Sequence, residues 1–251
     1  MASTAAPPLK VFIMGPPRSG TSVTYYAMRE VFELPGYGES HVFPIFLTLL
    51  HRFWQYGESF RKQSGNFAAR LNTATLRATF SDYLRNFYGQ HYPAGSWVDK
   101  TPGADAILST SLILETFPDA RIILTRRGGI EAVQSFRAKF SGPFANACHS
   151  WRHCMEALVR VTAEQPSVLV IDQFDLANEP DGSAARIATH LGREAQAAEL
   201  ADFFKTRQPE RTSRHAWDTR LTLAATDWTD DEKRTFTELC GDMMQKLEYP
   251  F

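Results

Sequence analysis

Cysteine is scarce in this sequence. The three cysteines, Cys148, Cys154 and Cys240, are an odd number and show no C-x-x-C spacing. The sequence therefore offers neither a disulfide framework nor the cysteine pairs of a zinc site. We expect a protein of a reduced compartment that binds no metal.

Excess charge and long apolar runs are missing as well. The formal net charge is −1, which excludes a general electrostatic attraction to nucleic acid. The longest apolar stretch, near residues 42–50, is too short to span a bilayer. Residues 1–8 lack the charged and apolar regions of a signal peptide. We expect a cytoplasmic protein that binds neither nucleic acid nor membrane.

Short apolar strands alternate with helical patterns along the chain. β-Rich runs occur at residues 10–14, 96–98, 121–125 and 168–171. Helical patterns occur at residues 21–32, 104–117, 130–140, 145–163, 182–191, 196–204 and 229–247. This alternation predicts an α/β fold of three layers, in which helices cover both faces of a mostly parallel central sheet.

A glycine-bracketed loop follows the first predicted strand. Residues 15–22 are Gly-Pro-Pro-Arg-Ser-Gly-Thr-Ser. The N–H groups of such a loop and the N-terminus of the following helix converge on an anion. The glycines keep the spacing of the ATP- and GTP-binding P-loop, G-x-x-x-x-G-K-[ST], but Thr21 replaces its lysine and Arg18 carries the cation. The loop predicts an anion site that differs from a magnesium–triphosphate site.

Three polar segments follow predicted strands. They are residues 15–22, 99–102 and 126–129. Because ligands of parallel sheets bind beyond the carboxyl ends of the strands, we expect these segments to lie along one edge of the sheet.

The first loop resembles the 5′-phosphosulfate loop of the sulfotransferases that use 3′-phosphoadenosine 5′-phosphosulfate (PAPS). That family has a basic residue and a spacer before Gly-Thr-Thr or Gly-Thr-Ser. The resemblance implies a P-loop-type fold with PAPS as sulfuryl donor, and cofactor contacts from Pro17, Arg18, Ser19, Gly20, Thr21 and Ser22. It also accounts for the missing lysine, because PAPS has no γ-phosphate and its reaction needs no metal.

The segment after the third predicted strand resembles the same family. There, an arginine at a strand end and a serine eight residues later hold the 3′-phosphate of the nucleotide, and Arg127 and Ser135 have this separation. A guanidinium fork suits a phosphate dianion, and a serine supplies a further donor. Gly128 and Gly129 depart from the Asn-Pro or Asp-Gly of many members. Arg211 and Arg214 lie in a late polar segment. In members of the family such a segment often closes over the nucleotide, so the resemblance makes both residues further candidates for cofactor binding.

Two more segments resemble the catalytic parts of the family. Residues 38–43 are similar to the acceptor-side segment of heparan sulfate and tyrosylprotein sulfotransferases, in which a glutamate is the general base; Glu39 takes this place. His41 is the alternative base, since cytosolic small-molecule sulfotransferases use a histidine. A base is needed because an alcohol is a poor nucleophile until it loses its proton. Lys100 resembles the lysine that, with Arg18, stabilises charge on the departing phosphate oxygen.

These observations predict a single sulfotransferase domain over residues 1–251, with a helical acceptor-side insertion around residues 40–92. It moves the sulfuryl group of PAPS to a hydroxyl group, or as second choice an amine, of a small-molecule acceptor. The aromatic residues of the insertion either line an acceptor pocket or form core; they are Phe43, Phe46, Phe53, Trp54 and Tyr56.

Two other functions stay open. The first is a magnesium-dependent P-loop kinase of a small molecule, in which Asp172, after the fourth predicted strand, would hold the metal. The second is a nucleotide-binding module without catalytic activity.

Overall fold

The computed structural model describes residues 7–60, 72–207 and 219–251. Within these ranges four strands form one sheet in the order β2-β1-β3-β4, and all neighbours are parallel. The strands are β1 (Lys10–Met14), β2 (Trp97–Lys100), β3 (Arg121–Arg126) and β4 (Leu169–Asp172). The predicted parallel α/β fold is confirmed, and the carboxyl ends of the strands share one edge.

Helices connect the strands and cover the sheet. They are α1 (Thr21–Val31), α2 (Val42–Phe60), α3 (Thr73–His91), α4 (Ala104–Leu108), α5 (Thr110–Thr116), α6 (Gly129–Lys139), α7 (Phe144–Glu164), α8 (Gln173–Asn178), α9 (Pro180–Leu191), α10 (Ala197–Thr206) and α11 (Asp230–Lys246). Helices α2 and α3 occupy the aromatic-rich region between β1 and β2. No helix in the described part of the chain is long and apolar enough to cross a membrane.

The sheet separates two apolar cores. Alternate residues of a strand point to opposite faces, so Phe12 and Met14 of β1 pack on one side, together with buried residues of α3, α4, α7 and α11. Val11 and Ile13 pack on the other side with α1, α9 and α10. The sheet is therefore the middle of three layers.

Strand β2 differs from its prediction. It was expected at residues 96–98 and is found at Trp97–Lys100, so Asp99 and Lys100 are its last residues and do not follow it. They continue the pairing with β1, opposite Phe12 and Ile13. Backbone pairing therefore extends through two charged residues, both of which are buried.

The predicted helix over residues 104–117 is two helices in the structure. The hydroxyl of Ser109, between α4 and α5, donates to the carbonyl of Asp105 at 2.7 Å. A serine that bonds the carbonyl four residues earlier often bends a helix. At α11, by contrast, the helix begins where the sequence predicts it, and Thr229 and Glu232 form a capping box there.

Gly15, at the end of β1, is expected to tolerate no side chain. A Cβ atom there would lie 2.3 Å from Oγ1 and 2.4 Å from the carbonyl oxygen of Thr125. Because one of these atoms is backbone, a rotamer change cannot relieve the clash. Gly15→Ala should lower the free energy of unfolding by about 1–3 kcal/mol, measured by urea denaturation.

Gly38→Ala is the matched control, because its added Cβ meets no atom within 4 Å. Equal losses in the two variants would contradict the close approach as the cause.

Candidate active site

The N-terminus of α1 is open to an anion. Its N-cap, Gly20, has a left-handed φ of 93°, offers no side-chain hydrogen bond, and is followed by no acidic residue in the first turn. The first N–H groups of a helix have no partner within it, and its dipole favours negative charge there. The end of the predicted phosphate loop thus has the chemistry that an anion requires.

Ser19 shapes this loop from inside. It is buried, its hydroxyl donates to the carbonyl of Pro16 at 2.7 Å, and it lies 2.7 Å from Oγ1 of Thr125 on β3. Its hydroxyl is therefore engaged in hydrogen bonds within the protein, and a cofactor contact from Ser19 stays a prediction. Thr21 is also buried, whereas Pro17 and Ser22 are half-buried.

Three residues predicted to bind phosphate come together beside the loop. Arg18 has a left-handed φ of 71°, and its Nε donates to Oγ of Ser135 on α6 at 3.2 Å. Nη1 of Arg127, just after β3, donates to the carbonyl of Arg18 at 2.9 Å. The structure thus joins two segments that sequence separates by more than a hundred residues.

The guanidinium of Arg127 is buried, and burial disfavours its charged form. Burial lowers the pKa of its guanidinium to about 10, the positive charge of Arg18 acts in the same direction, and the charges of Glu131 and Asp172 oppose them. The indole N–H of Trp151 fixes its carbonyl at 3.0 Å. A bound anion would offset both the burial and the repulsion between the two cations.

Glu39, Lys100 and His41 form a second cluster at the end of β2. Nζ of Lys100 donates to Oε1 of Glu39 at 2.9 Å, and Nε2 of His41 lies 3.2 Å from Oε2. Lys100 is buried while Glu39 is 45% exposed. Partial burial alone would raise the pKa of the Glu39 carboxyl, but the hydrogen bonds and charges of Lys100 and His41 lower it. Both candidate bases therefore belong to one cluster.

Asp99 positions the Glu39 segment, and sequence reasoning missed this role. Oδ2 of this buried carboxylate accepts from Ser40 at 2.6 Å and from the Tyr88 hydroxyl of α3 at 2.6 Å, while Oδ1 accepts from Thr101 at 3.2 Å. Burial raises the pKa of Asp99, and the three hydroxyls lower it in part. The only signal in the sequence was a charged residue beside Lys100.

Asp172 is engaged in the fold through both carboxylate oxygens. Oδ1 accepts from the N–H of Phe174 at 3.0 Å and caps α8. Oδ2 accepts from the Tyr249 hydroxyl at 2.8 Å and pairs with Arg126 at 3.2 Å and Arg220 at 3.3 Å. This donor set does not fit a magnesium ligand, and in the described chain no three acidic, histidine or cysteine side chains cluster as a metal site would.

Two predicted cofactor contacts, Arg211 and Arg214, lie outside the described residues. Arg220, which the sequence did not single out, lies over the rings of Phe174 and Tyr249, with its guanidinium carbon 4.4 Å and 5.1 Å from their centroids.

The aromatic residues of the predicted insertion divide into two groups. Phe43 is core and Phe46 packs against it. Phe53, Trp54 and Tyr56 are exposed, at 41%, 51% and 58%. Their helical spacing predicted that some of them share one face of a helix. The structure shows that the apolar core covers Phe43 and Phe46, and that the other three side chains are exposed.

The comparisons agree with this fold. The model of the sulfotransferase family matches residues 8–197, and the chain therefore belongs to that family. A search of curated proteins returned no match.

Solved sulfotransferases have similar structures. A sulfotransferase domain from the curacin biosynthetic pathway has a TM-score of 0.52 and 16% identity, covering 98% of this chain and 100% of that domain. Sulfotransferase STF9 from Mycobacterium avium has a TM-score of 0.55 and 13% identity, covering 98% of this chain and 79% of its own. The sulfotransferase domain of the Synechococcus PCC 7002 olefin synthase has a TM-score of 0.50 and 17% identity, covering 84% of this chain and 92% of that domain. At these identities the likeness shows the fold alone.

Tyr88→Phe should destabilise the protein, because it removes a donor from the buried Asp99 carboxylate. A hydrogen bond to a charged group contributes about 1.5–3 kcal/mol, and the free energy of unfolding should fall by this amount at neutral pH. The loss should shrink as pH falls through the raised pKa of Asp99, because a protonated carboxyl is a weaker acceptor.

Tyr83→Phe removes the same hydroxyl from an exposed position of α3 and should leave stability unchanged. A Tyr88→Phe loss that stays constant into acid would argue against an ionised Asp99 as the acceptor. Urea denaturation across a pH series measures both variants.

Proposed function

We propose that this sulfotransferase moves a sulfuryl group from PAPS to a hydroxyl group of a small-molecule acceptor. The observation that carries the proposal is the position of the two clusters at adjacent strand ends. The N–H of Gly103, beyond β2, donates to the carbonyl of Gly15 at 2.8 Å, so the Lys100 segment lies against the phosphate loop. An anion-binding site lined by arginines can hold an anionic donor, and the carboxylate beside it can accept the proton of an alcohol. Together they suit transfer from the donor to the alcohol.

The phosphate loop and the neighbouring Arg127 and Ser135 fit an anionic nucleotide. They offer cations, hydroxyls and the N-terminus of α1, which match phosphate oxygens without a metal. PAPS supplies the sulfuryl group on a phosphate leaving group. Arg18 and the loop N–H groups would hold the 5′-phosphosulfate, and Arg127 with Ser135 would hold the 3′-phosphate.

Glu39 is the base of the proposed mechanism. Its lowered pKa keeps the carboxylate ionised at neutral pH, and its side chain is 45% exposed, which leaves it accessible to an acceptor. Glu39 accepts the proton of the acceptor hydroxyl as the oxygen attacks sulfur. Lys100, next to it, stabilises the negative charge that develops on the departing oxygen, and this contact raises the rate more than the affinity.

The decisive experiment is calorimetric titration with adenosine 3′,5′-bisphosphate beside ADP and ATP with magnesium. Tight binding of the bisphosphate without magnesium, and weak binding of the other two, is the expected result. A preference for ATP with magnesium would overturn the proposal in favour of a kinase. Sulfuryl transfer itself is then assayed with PAPS and a panel of alcohols.

Glu39→Gln should lower kcat by about 10²–10⁴-fold, the usual contribution of a general base, and leave the Kd of adenosine 3′,5′-bisphosphate unchanged. Gln keeps the shape of the side chain and cannot accept the proton. Glu33→Gln is the control, since Glu33 is an exposed glutamate of the same interstrand region. Near-normal turnover of Glu39→Gln would remove Glu39 from the mechanism and leave His41 as the base.

Arg127→Met should weaken binding of adenosine 3′,5′-bisphosphate by about 10–100-fold, because charge-assisted hydrogen bonds contribute about 1.5–3 kcal/mol each. Met fills much of the buried space without the charge. Arg121→Met, at the opposite end of β3, should bind normally. Unchanged affinity in a folded Arg127→Met protein would reject the phosphate role.

A further inference from the structure

A groove lies beside the candidate base. It has a volume of about 300 Å³ and is lined by His41, Pro44, Ile45, Thr48 and Leu49. His41 forms its polar end, and the Nε2 atom of this histidine is 3.2 Å from the Glu39 carboxylate. A molecule in the groove thus has one end at the acid–base cluster and the other against the first turns of α2.

The wall of the groove is apolar. Thr48 donates its hydroxyl hydrogen to the carbonyl of Pro44 at 2.9 Å, and Pro44 has no N–H to offer. Ile45 and Leu49 are 56% and 42% exposed. Beyond His41 the lining therefore gives a ligand hydrocarbon contacts, while the polar groups that orient a ligand are at one end, as in many small-molecule sites.

The apolar surface continues along α2 away from the active site. Ile45, Leu49, Phe53 and Tyr56 recur at helical spacing and share one side of the helix, and all four are exposed. At 1.5 Å per residue they extend over about 16 Å. Arg52, also exposed, borders this apolar side. Exposed apolar residues that stand alone are ordinary, but a group of them rimmed by polar residues and connected to a polar site is typical of a binding surface.

We propose that this groove binds the apolar body of an alcohol acceptor and so presents its hydroxyl group to Glu39. The proposal rests on the sulfuryl transfer proposed above, because it names the class of acceptor for that site. The acceptor is an amphiphile, with a hydroxyl at one end and a hydrocarbon chain or ring system that extends from His41 along Ile45 and Leu49. Small polar alcohols would leave this face in water.

The first measurement is the affinity for a series of straight-chain alcohols, butanol, hexanol and octanol, with the protein saturated with adenosine 3′,5′-bisphosphate. Burying a methylene contributes about 0.8 kcal/mol, so the Kd should fall by up to about fourfold for each added carbon. With PAPS, kcat/KM should rise along the same series. An affinity that does not change with chain length would overturn the proposal.

A double variant, Ile45→Gln with Leu49→Gln, tests the site of binding. Both side chains are exposed, so the fold and the Kd of adenosine 3′,5′-bisphosphate should be retained. The Kd for octanol should rise about tenfold. Full burial of a large apolar side chain contributes about 1.5–3 kcal/mol, and the two half-exposed side chains each contribute part of this free energy to binding. Butanol, which is too short to contact both residues, should be affected less.

Trp54→Gln is the matched control. It is an equally exposed apolar residue of α2, but lies on the side of the helix opposite Ile45 by helical geometry. Octanol binding should be unchanged in this variant. An equal loss in Trp54→Gln would overturn the assignment to the groove, as would self-association that disappears in the double variant alone, which would assign the face to a second copy of the chain.

The same data separate the two proposals. If the protein does not bind adenosine 3′,5′-bisphosphate, the alcohol series is measured without the nucleotide; chain-length-dependent binding would then contradict the proposed function and support the binding of apolar molecules in the groove. Sulfuryl transfer from PAPS to glycerol as efficient as that to octanol would establish the function and overturn the apolar acceptor.

Discussion

The close approach of β1 to β3 at Gly15 and Thr125 is the contact on which the candidate site depends. A glycine lets the backbone of the phosphate loop reach the Thr125 carbonyl, and the Thr125 hydroxyl then pairs with Ser19 inside the loop. The carbonyl of Gly15 accepts from Gly103 beyond β2. The ends of three neighbouring strands are thereby joined before any ligand binds, and the loop conformation follows from this joint.

Around this joint the charged residues form two clusters. Arg18 and Arg127 lie together beside β3, where burial and the positive charge of Arg18 both lower the pKa of Arg127, and this arrangement favours an anion. Glu39 lies on the β2 side, paired with Lys100. The charges of the fourth strand are instead neutralised within the fold, because Asp172 is surrounded by Arg126, Arg220 and Tyr249. One edge of the sheet thus contains both a polar site open to ligands and a closed structural cluster.

Local patterns were sufficient for several elements of the fold. The apolar run of β1, the glycine-bracketed loop and the start of α11 each depend on backbone geometry within a few residues, and each lies where the sequence predicted it. Strand β2 was predicted too early, because Asp99 and Lys100 do not resemble strand residues. Their pairing with β1 and the hydroxyls that reach Asp99 make this extension possible.

The sequence by itself determined the types of chemical groups at the site: two arginines, a lysine, a glutamate and a serine. It left their contacts open, because these contacts join residues far apart in the chain. Glu39 meets Lys100 across 61 positions, and Ser40 meets Asp99 across 59. Periodicity likewise placed apolar residues on the faces of α2, yet only the packing of α3 and the sheet distinguishes the buried Phe43 from the exposed Ile45 and Leu49. Such contacts depend on strand order and helix packing, which local spacing does not encode.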